Sequence, residues 1–350
     1  MNAIERLLRE QASPAVLRRH GLDGRMITVL ITPRFVTSRH VVAMMYPEGS
    51  GRPTLVVKVP RRPGDTSGVR READMLARVA AAGLPEPVGV PELVGLLDTG
   101  DYTALVQTVM QGVPLDPPRV QRDFDRALAA GLAFVSSLPV TRSAEENDGW
   151  FGRTVERNLH RFAEQVPLQG VNARLVDRTL SFLEPLRTTP LPAVIAHGDL
   201  SHPNLFVGSA DQLQVIDWER ATTEGLPGQD LVFYLSYIGE SRRDAYSRPE
   251  QLRVYDQTFA APHGWGRAVL RQHLQSRGVP PQLLGHVVVA TWALSASTLL
   301  ERLVPDVVGD ASANGLRSPS ADQLQAAAEQ DRDVALWRHA LDTAESLFDG

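Results

Sequence analysis

The spacing of apolar positions changes near Gly112. Before it, apolar residues come in short runs: MITVLIT (Met26 to Thr32), HVVAMMY (His40 to Tyr46), TLVVKVP (Thr54 to Pro60), ELVGLLDTG and YTALVQTVM. Their β-branched content and bounding Pro and Gly residues predict five strands, the second and third joined by the turn PEGSGRP. Within this part Ser67 to Ala82 repeats at helical spacing through Met75, Leu76 and Val79, and stops at Gly83 and Leu84-Pro85. Residues 1–25 predict one or two short helices anchored by Leu7, Leu8, Val16 and Leu17. The expectation for residues 1–112 is an antiparallel sheet with a helix beside it and a helical extension at the front.

Beyond Gly112 the pattern becomes helical. Phe124, Leu128, Leu132 and Val135 predict the buried stripe of one helix. Further helices are expected near Val155 to Gln165, Val171 to Leu186, Asp230 to Ile238, Trp265 to Ser276, Leu283 to Leu303 and Ala321 to Phe348, with a polar region over Glu240 to Pro249 and a loop over Gly309 to Pro319. Between them runs VIAHGDLSHPNLFVGSADQLQVIDWE (Val194 to Glu219), which reads as strand, loop, strand, turn, strand. The whole predicts a bilobal α+β chain: a small sheet lobe, residues 1–112, and a larger mainly helical lobe, residues 113–350.

Composition narrows the function classes. With 43% hydrophobic and 22% charged residues, the chain is ordinary for a soluble globular protein. A formal net charge of -5 argues against general nucleic-acid binding. The absence of cysteine excludes disulfides, thiolate metal sites and Cys nucleophiles. MNAIERLLREQ lacks a signal-peptide core, and the most apolar run, Leu283 to Leu300, carries His286, Trp292 and hydroxyl residues that suit a buried helix better than a membrane span. No membrane association and a cytoplasmic location are expected; oligomeric state is left open. Lys and Arg total 36, yet only one residue is lysine, Lys58. A chain that otherwise uses Arg keeps one compact ammonium, on a strand, where a planar guanidinium would not serve equally.

Two carboxylates and an amide stand on the central stretch. Asp199 and Asn204 are five positions apart on a loop opened by His197 and Gly198, and Asp217 follows at the end of LQVID. The pattern H-G-D-x-x-x-x-N arises by chance in a chain this long with a probability on the order of 10⁻³. An Asp that accepts a proton, with an Asn and a second Asp to hold Mg²⁺, is the set a phosphoryl-transfer site needs. Mg²⁺ prefers oxygen and takes one or two protein carboxylates with phosphate and water. Lys58 would hold nucleotide phosphates, and Glu72, on the following helix, would fix it. No G-x-G-x-x-G lies between the first two strands; backbone N–H groups of Thr37, Ser38 and Arg39 are the candidates there for a phosphate nest. His197 is read as a brace of the loop, His202 as exposed, and Glu219 equally as a metal-facing or a surface carboxylate.

These motifs together resemble the aminoglycoside phosphotransferase and choline kinase-like superfamily, small-molecule kinases with a protein-kinase-like fold. The resemblance rests on LVVK (Leu55 to Lys58), READML (Arg71 to Leu76), LVQTVMQGVPL (Leu105 to Leu115), HGDLSHPN (His197 to Asn204), VIDWE (Val215 to Glu219) and GQDL (Gly228 to Leu231), and it covers about Met26 to Leu235. It implies transfer of the γ-phosphoryl group of Mg-ATP or Mg-GTP, bound in a cleft between the lobes, to a hydroxyl of a small molecule. By it Asp199 is catalytic, Asn204 and Asp217 bind Mg²⁺, Lys58 and Glu72 hold phosphates, and Asp230 braces the catalytic loop. Thr108 and Met110 would meet the purine through their backbones. The missing glycines and a C-terminal third without a matching motif depart from the pattern. For the acceptor, Glu145, Glu146, Asp148, Glu224 and Glu240 would suit a polycation, and Arg242, Arg243 and Arg248 an anionic or sugar-like molecule. A nucleotide-binding regulator without turnover and a nucleotidyl-transfer enzyme stay open as rivals; a protein kinase is disfavoured because no DFG–APE segment follows Asp217.

Overall fold

The computed structural model describes residues 2–31, 40–84, 89–208, 211–303 and 320–347. The chain forms two compact units, one made of Met1–Gln111 with Gln214–Arg220, the other of Gly112–Leu213, Ala221–Leu300 and Pro319–Gly350.

The first unit begins with α1 (Ala3–Gln11) and α2 (Pro14–Arg19). Asn2 caps α1 with a reciprocal Glu5 box, and Ser13 with Pro14 starts α2. Then come β1 (Met26–Ile31), β2 (His40–Pro47), β3 (Leu55–Pro60), α3 (Ser67–Ala81), β4 (Leu93–Asp98) and β5 (Thr103–Thr108). The sheet order is β1-β2-β3-β5-β4, antiparallel throughout. Strand alternation sends Ala43, Met45, Leu55, Val57, Ala104 and Val106 to one face, where Leu8, Leu17 and Leu22 cover them. Each fully buried Val, Leu or Met of this set contributes about 1.5–3 kcal/mol. The opposite face carries Lys58 and receives α3 through Val69 and Ala73, packed on Leu105. The sheet is therefore packed on one face by the N-terminal helices and on part of the other by α3.

The second unit runs through β6 (Val113–Pro114), α4 (Pro117–Arg122), α5 (Phe124–Ser137), β7 (Val140–Arg142), α6 (Arg157–Gln165), α7 (Leu175–Phe182), α8 (Glu184–Thr188), β8 (Ala193–Ala196) and β9 (Leu205–Val207). The chain passes to the first unit within β10 (Leu213–Val215) and returns before β11 (Thr222–Gly225). There follow α9 (Gln229–Arg243), α10 (Arg248–Tyr255), α11 (Trp265–Ser276), α12 (Leu284–Ser297), α13 (Leu299–Leu303), of which only Leu299 and Leu300 belong to this unit, α14 (Ala321–Gln330) and α15 (Arg332–Asp342). α12 is buried from Leu284 to Ala296 and packs against α6, α7, α9 and α15. No helix among the described residues is long and apolar enough to cross a membrane. β8 lies between β7 and β11, antiparallel to both, and its end delivers the chain to His197.

Two sequence expectations change here. The buried face of α5 is Ala127, Ala130, Gly131, Phe134 and Val135, while Phe124, Leu128 and Leu132 are only half-buried. The cause is Tyr234 of α9: a Cβ on Gly131 would sit 1.9 Å from its ring, and its hydroxyl donates to the Ala127 carbonyl at 2.5 Å. The polar region after Ile238 is helical: α9 continues to Arg243, and α10 starts at Ser247, whose N–H donates to Glu250 at 2.9 Å. The loop expected over Gly309 to Pro319 lies outside the described residues.

Candidate active site

In the first unit, the flat run of β3 points Lys58 away from the Leu8–Leu17 core and toward α3. Its ammonium donates to both Glu72 oxygens, at 2.8 and 2.7 Å, and to Asp217 Oδ1 at 2.8 Å. Lys58 is 6% exposed and Glu72 fully buried, whereas the Asp217 side chain is 36% exposed. Burial alone would push the ammonium down, but Asp217 and Glu72 outweigh it and hold Lys58 above its ordinary value. Burial likewise pushes Glu72 up, against the pull of Lys58. Each partner depends on the other, since leaving either alone at this depth costs about 3–5 kcal/mol.

Asp217 reaches this place through its backbone. β10 ends at Val215, and Asp217 takes a φ of 71°, a left-handed conformation that Asp tolerates better than most residues. Trp218 then turns inward, fully buried, donating from Nε1 to the Val215 carbonyl at 3.0 Å and from its backbone toward Glu72 at 3.4 Å. Glu219 lies 3.7 Å from His40 and against Gly68 at the start of α3, which takes it out of the free surface. Thr108 differs from expectation. Its N–H already donates to the Glu92 carbonyl at 3.0 Å, and its hydroxyl accepts from the Glu92 N–H at 2.8 Å. The Val109 N–H is likewise spent on Thr54. The Met110 backbone, by contrast, makes no hydrogen bond among the described residues. Ser38 and its neighbours lie outside the described residues.

The register adds a surface that motif reading missed. Lys58 pairs with Val42, and Val56 with Met44, so these side chains share its face with Tyr46 and with the exposed Ile27, Val29 and Ile31. An apolar wall therefore lies beside the ammonium. Its signal was the strand alternation itself, once the core face was known.

In the second unit, the loop from His197 to Asn204 is pinned by fully buried Leu200 and Leu205. Gly198 has a φ of 80°, a turn that lets consecutive N–H groups converge. The His197 N–H donates to Asp230 Oδ2 at 2.7 Å and the Gly198 N–H to Oδ1 at 2.9 Å. Asp230 sits in the first turn of α9, after Gly228 at φ 87°, and acts on another loop instead of capping its own helix. Burial pushes its carboxyl up, opposed by His197 and by the two N–H donors. The Asp199 N–H donates to His197 Nδ1 at 3.2 Å. Ser201 donates its hydroxyl to Asp199 Oδ1 at 2.8 Å, a contact the sequence reading did not assign. Asn204 donates its amide nitrogen to the Asp199 carbonyl at 3.2 Å; its Oδ1 makes no hydrogen bond among the described residues, so the end a hard cation would use is left over. His202 is exposed.

Several acidic residues considered for an acceptor are already engaged. Glu224 pairs with Arg142 at 3.1 Å and Arg153 at 3.3 Å, and Glu240 pairs with Arg332 at 2.6 Å. Glu146 holds Ser143.

No curated protein matches this sequence. Among solved structures, the choline kinase LicA from Streptococcus pneumoniae is similar at 13% identity and a TM-score of 0.53, over 95% of this chain and 98% of that one. A thermostable mutant of the aminoglycoside phosphotransferase APH(4)-Ia, in ternary complex with AMP-PNP and hygromycin B, matches at 13% and 0.53, over 99% of each chain. A macrolide 2′-phosphotransferase type I matches at 18% and 0.51, over 89% of this chain and 93% of that one. At these identities the likeness is one of fold, the protein-kinase-like fold. The sequence model of the phosphotransferase enzyme family, however, matches residues 43–273, well over half of the chain and the span that holds Lys58, Asp199 and Asp230. The chain belongs to the phosphotransferase enzyme family.

Proposed function

We propose that this phosphotransferase moves the γ-phosphoryl group of Mg-ATP or Mg-GTP to a hydroxyl of a small-molecule acceptor. The observation that carries the reading is the cluster at Lys58: the chain's single lysine, buried, charged and aimed by Glu72 and Asp217. Such a fixed ammonium is suited to nucleotide phosphates. Asp199 is the residue that accepts or orients the acceptor's hydroxyl proton. His197 and Asp230 hold its loop through backbone N–H groups, so the carboxylate needs little rearrangement when substrate arrives. Apolar Val42, Met44 and Val56 would flank the base, with the Met110 backbone as its polar contact.

Asn204 Oδ1 and the Asp217 carboxylate fit Mg²⁺ as hard oxygen donors, and two such ligands suffice because phosphate and water complete the shell. When bound, the ion would neutralise charge on the phosphates. The engaged state of Glu224 and Glu240 weighs against an acceptor site for polycations built on them. Choline, ethanolamine, hygromycin B and macrolides, named with similar structures, are reasonable first acceptors to try.

The test is nucleotide consumption with ATP and with GTP across amino alcohols, aminoglycosides, macrolides, sugars and nucleosides, followed by mass spectrometry of the product. A phosphorylated acceptor is expected. A nucleotidylated acceptor would instead establish the nucleotidyl-transfer rival, and Mg-nucleotide binding without turnover across broad panels would favour the regulator.

A further inference from the structure

A cavity lies entirely within the larger unit, between α5, β7 and α11. It has a volume of about 760 Å³, in the range of drug-sized ligand sites. Leu132, Val140, Pro192 and Val269 supply apolar walls, and His273 and Arg277 supply its polar end. Pro192 precedes β8, whose far end delivers His197; five extended residues separate the two by about 16 Å. The cavity is thus at the opposite end of that strand from the Asp199 loop.

Two polar groups here have unmet needs. Arg277 Nη2 donates to the Val135 and Ser136 carbonyls, at 2.9 and 2.7 Å, which caps the end of α5. That accounts for one nitrogen. Its Nε–H and Nη1–H₂ have no acceptor, and no carboxylate lies within ion-pairing distance among the described residues. Burial holds this guanidinium below its ordinary value, as expected of a cation without a counter-ion. His273 is 4% exposed, and its Nδ1 is buried without a hydrogen bond. Burial, then Arg277, pushes its ring down to about 4, so at neutral pH it is an uncharged imidazole with one donor and one acceptor to offer. A buried polar atom left unpaired costs free energy, and capping of α5 does not explain the His273 imidazole; the remaining guanidinium nitrogens of Arg277 are not buried and are open to a ligand. No acidic residue lines the cavity.

We propose that this cavity is a binding site for a small carboxylate with an apolar body, its anion held by Arg277 and His273 and its body packed on Leu132, Val140 and Val269. With Nη2 spent on the two carbonyls, the remaining guanidinium nitrogens each offer a carboxylate oxygen a single charge-assisted hydrogen bond. The inference draws on no feature of the phosphoryl-transfer reading and stands or falls separately from it.

Isothermal titration of the full chain with octanoate, and with 1-octanol as the uncharged match, tests it. Octanoate is expected to bind one to one and at least ~10-fold more tightly than octanol, as one charge-assisted pair allows. Arg277→Met should erase that preference. Because the same change removes the α5 cap, Val269→Trp serves as a second variant: it fills the cavity, leaves both polar groups in place and should abolish octanoate binding while circular dichroism stays unchanged. No octanoate binding to the wild-type chain, equal affinity for octanol, or full binding by a folded Val269→Trp would each overturn the proposal.

Discussion

Asp199→Asn keeps the loop's shape, because the Ser201 and His197 bonds need no negative charge. We expect kcat to fall about 10²–10⁴-fold while the affinity for Mg-nucleotide is retained, measured by calorimetry; a variant with normal turnover would remove Asp199 from the chemistry. Lys58→Arg preserves charge but places a planar fork in a pocket shaped for an ammonium touching three carboxylate oxygens. A loss of at least ~10-fold in kcat/KM for nucleotide is expected, by more than one effect on geometry and packing. Asp230→Asn turns one of two acceptors into a donor facing a backbone N–H. Relief of a buried charge offsets part of the folding cost, so kcat should drop up to ~10²-fold with a much smaller change in melting temperature. At this scale the sequence was most readable where a residue's place is set by neighbours in the chain, as for the loop that carries His197, Asp199 and Asn204. It was least readable where a backbone group is already spent, as the Thr108 amide is on Glu92.

Among the elements, α5 shows why a hydrophobic stripe can mislead. Large apolar residues dominate any periodicity count, yet the face that approaches α9 most closely must be small to admit Tyr234. Ala127, Ala130 and Gly131 are that face and carry little hydrophobic weight. α10 was hidden by its polarity, although Ser247, Pro249 and Glu250 form a readable start signal. At the junction of α9 and α15, Arg332 joins Glu240 at 2.6 Å and Asp333 at 3.0 Å, and lies over Trp292 at 5.2 Å. Ser295 supplies Asp333 with a further bond at 2.7 Å. Nothing in the local sequence pairs residues 92 positions apart. Arg332→Met should cost about 3–5 kcal/mol at neutral pH by leaving two sheltered carboxylates together. Burial already raises Glu240 above its ordinary value, opposed by Arg332, so removing the arginine raises it further. A carboxyl raised in the folded state holds its proton more tightly there. The deficit should therefore shrink as pH falls toward the ordinary carboxylate range near 4.3 and widen as pH rises through the raised value, which denaturant titrations across pH would reveal.

For the whole molecule, the two units differ in what made them legible. The first has one sheet whose strands alternate and whose turns carry Pro and Gly, so its elements and their order could be read from sequence. It also recruits Gln214–Arg220 from more than a hundred residues away, and no periodicity announces that. The second is built on α12, recognisable as a buried helix because it is apolar all round. A ligand that binds only the folded chain raises its stability, by about 2.7 kcal/mol at a hundred times its dissociation constant. ATP with Mg²⁺ should thus raise the melting temperature by a few degrees, and a chelator should remove most of that gain. Asp217→Asn, which tolerates the same left-handed backbone, should lose the Mg-dependent part and, by loosening Lys58, some of the rest. One further consequence follows from the lysine. A protein with a single ε-amine, 6% exposed and tied to three oxygens, offers amine-directed chemistry almost no target. Acylating reagents should modify Lys58 only when its cluster opens. Peptide mapping after a timed pulse of such a reagent would then clock that opening directly, with no engineered probe, and bound nucleotide should slow the clock.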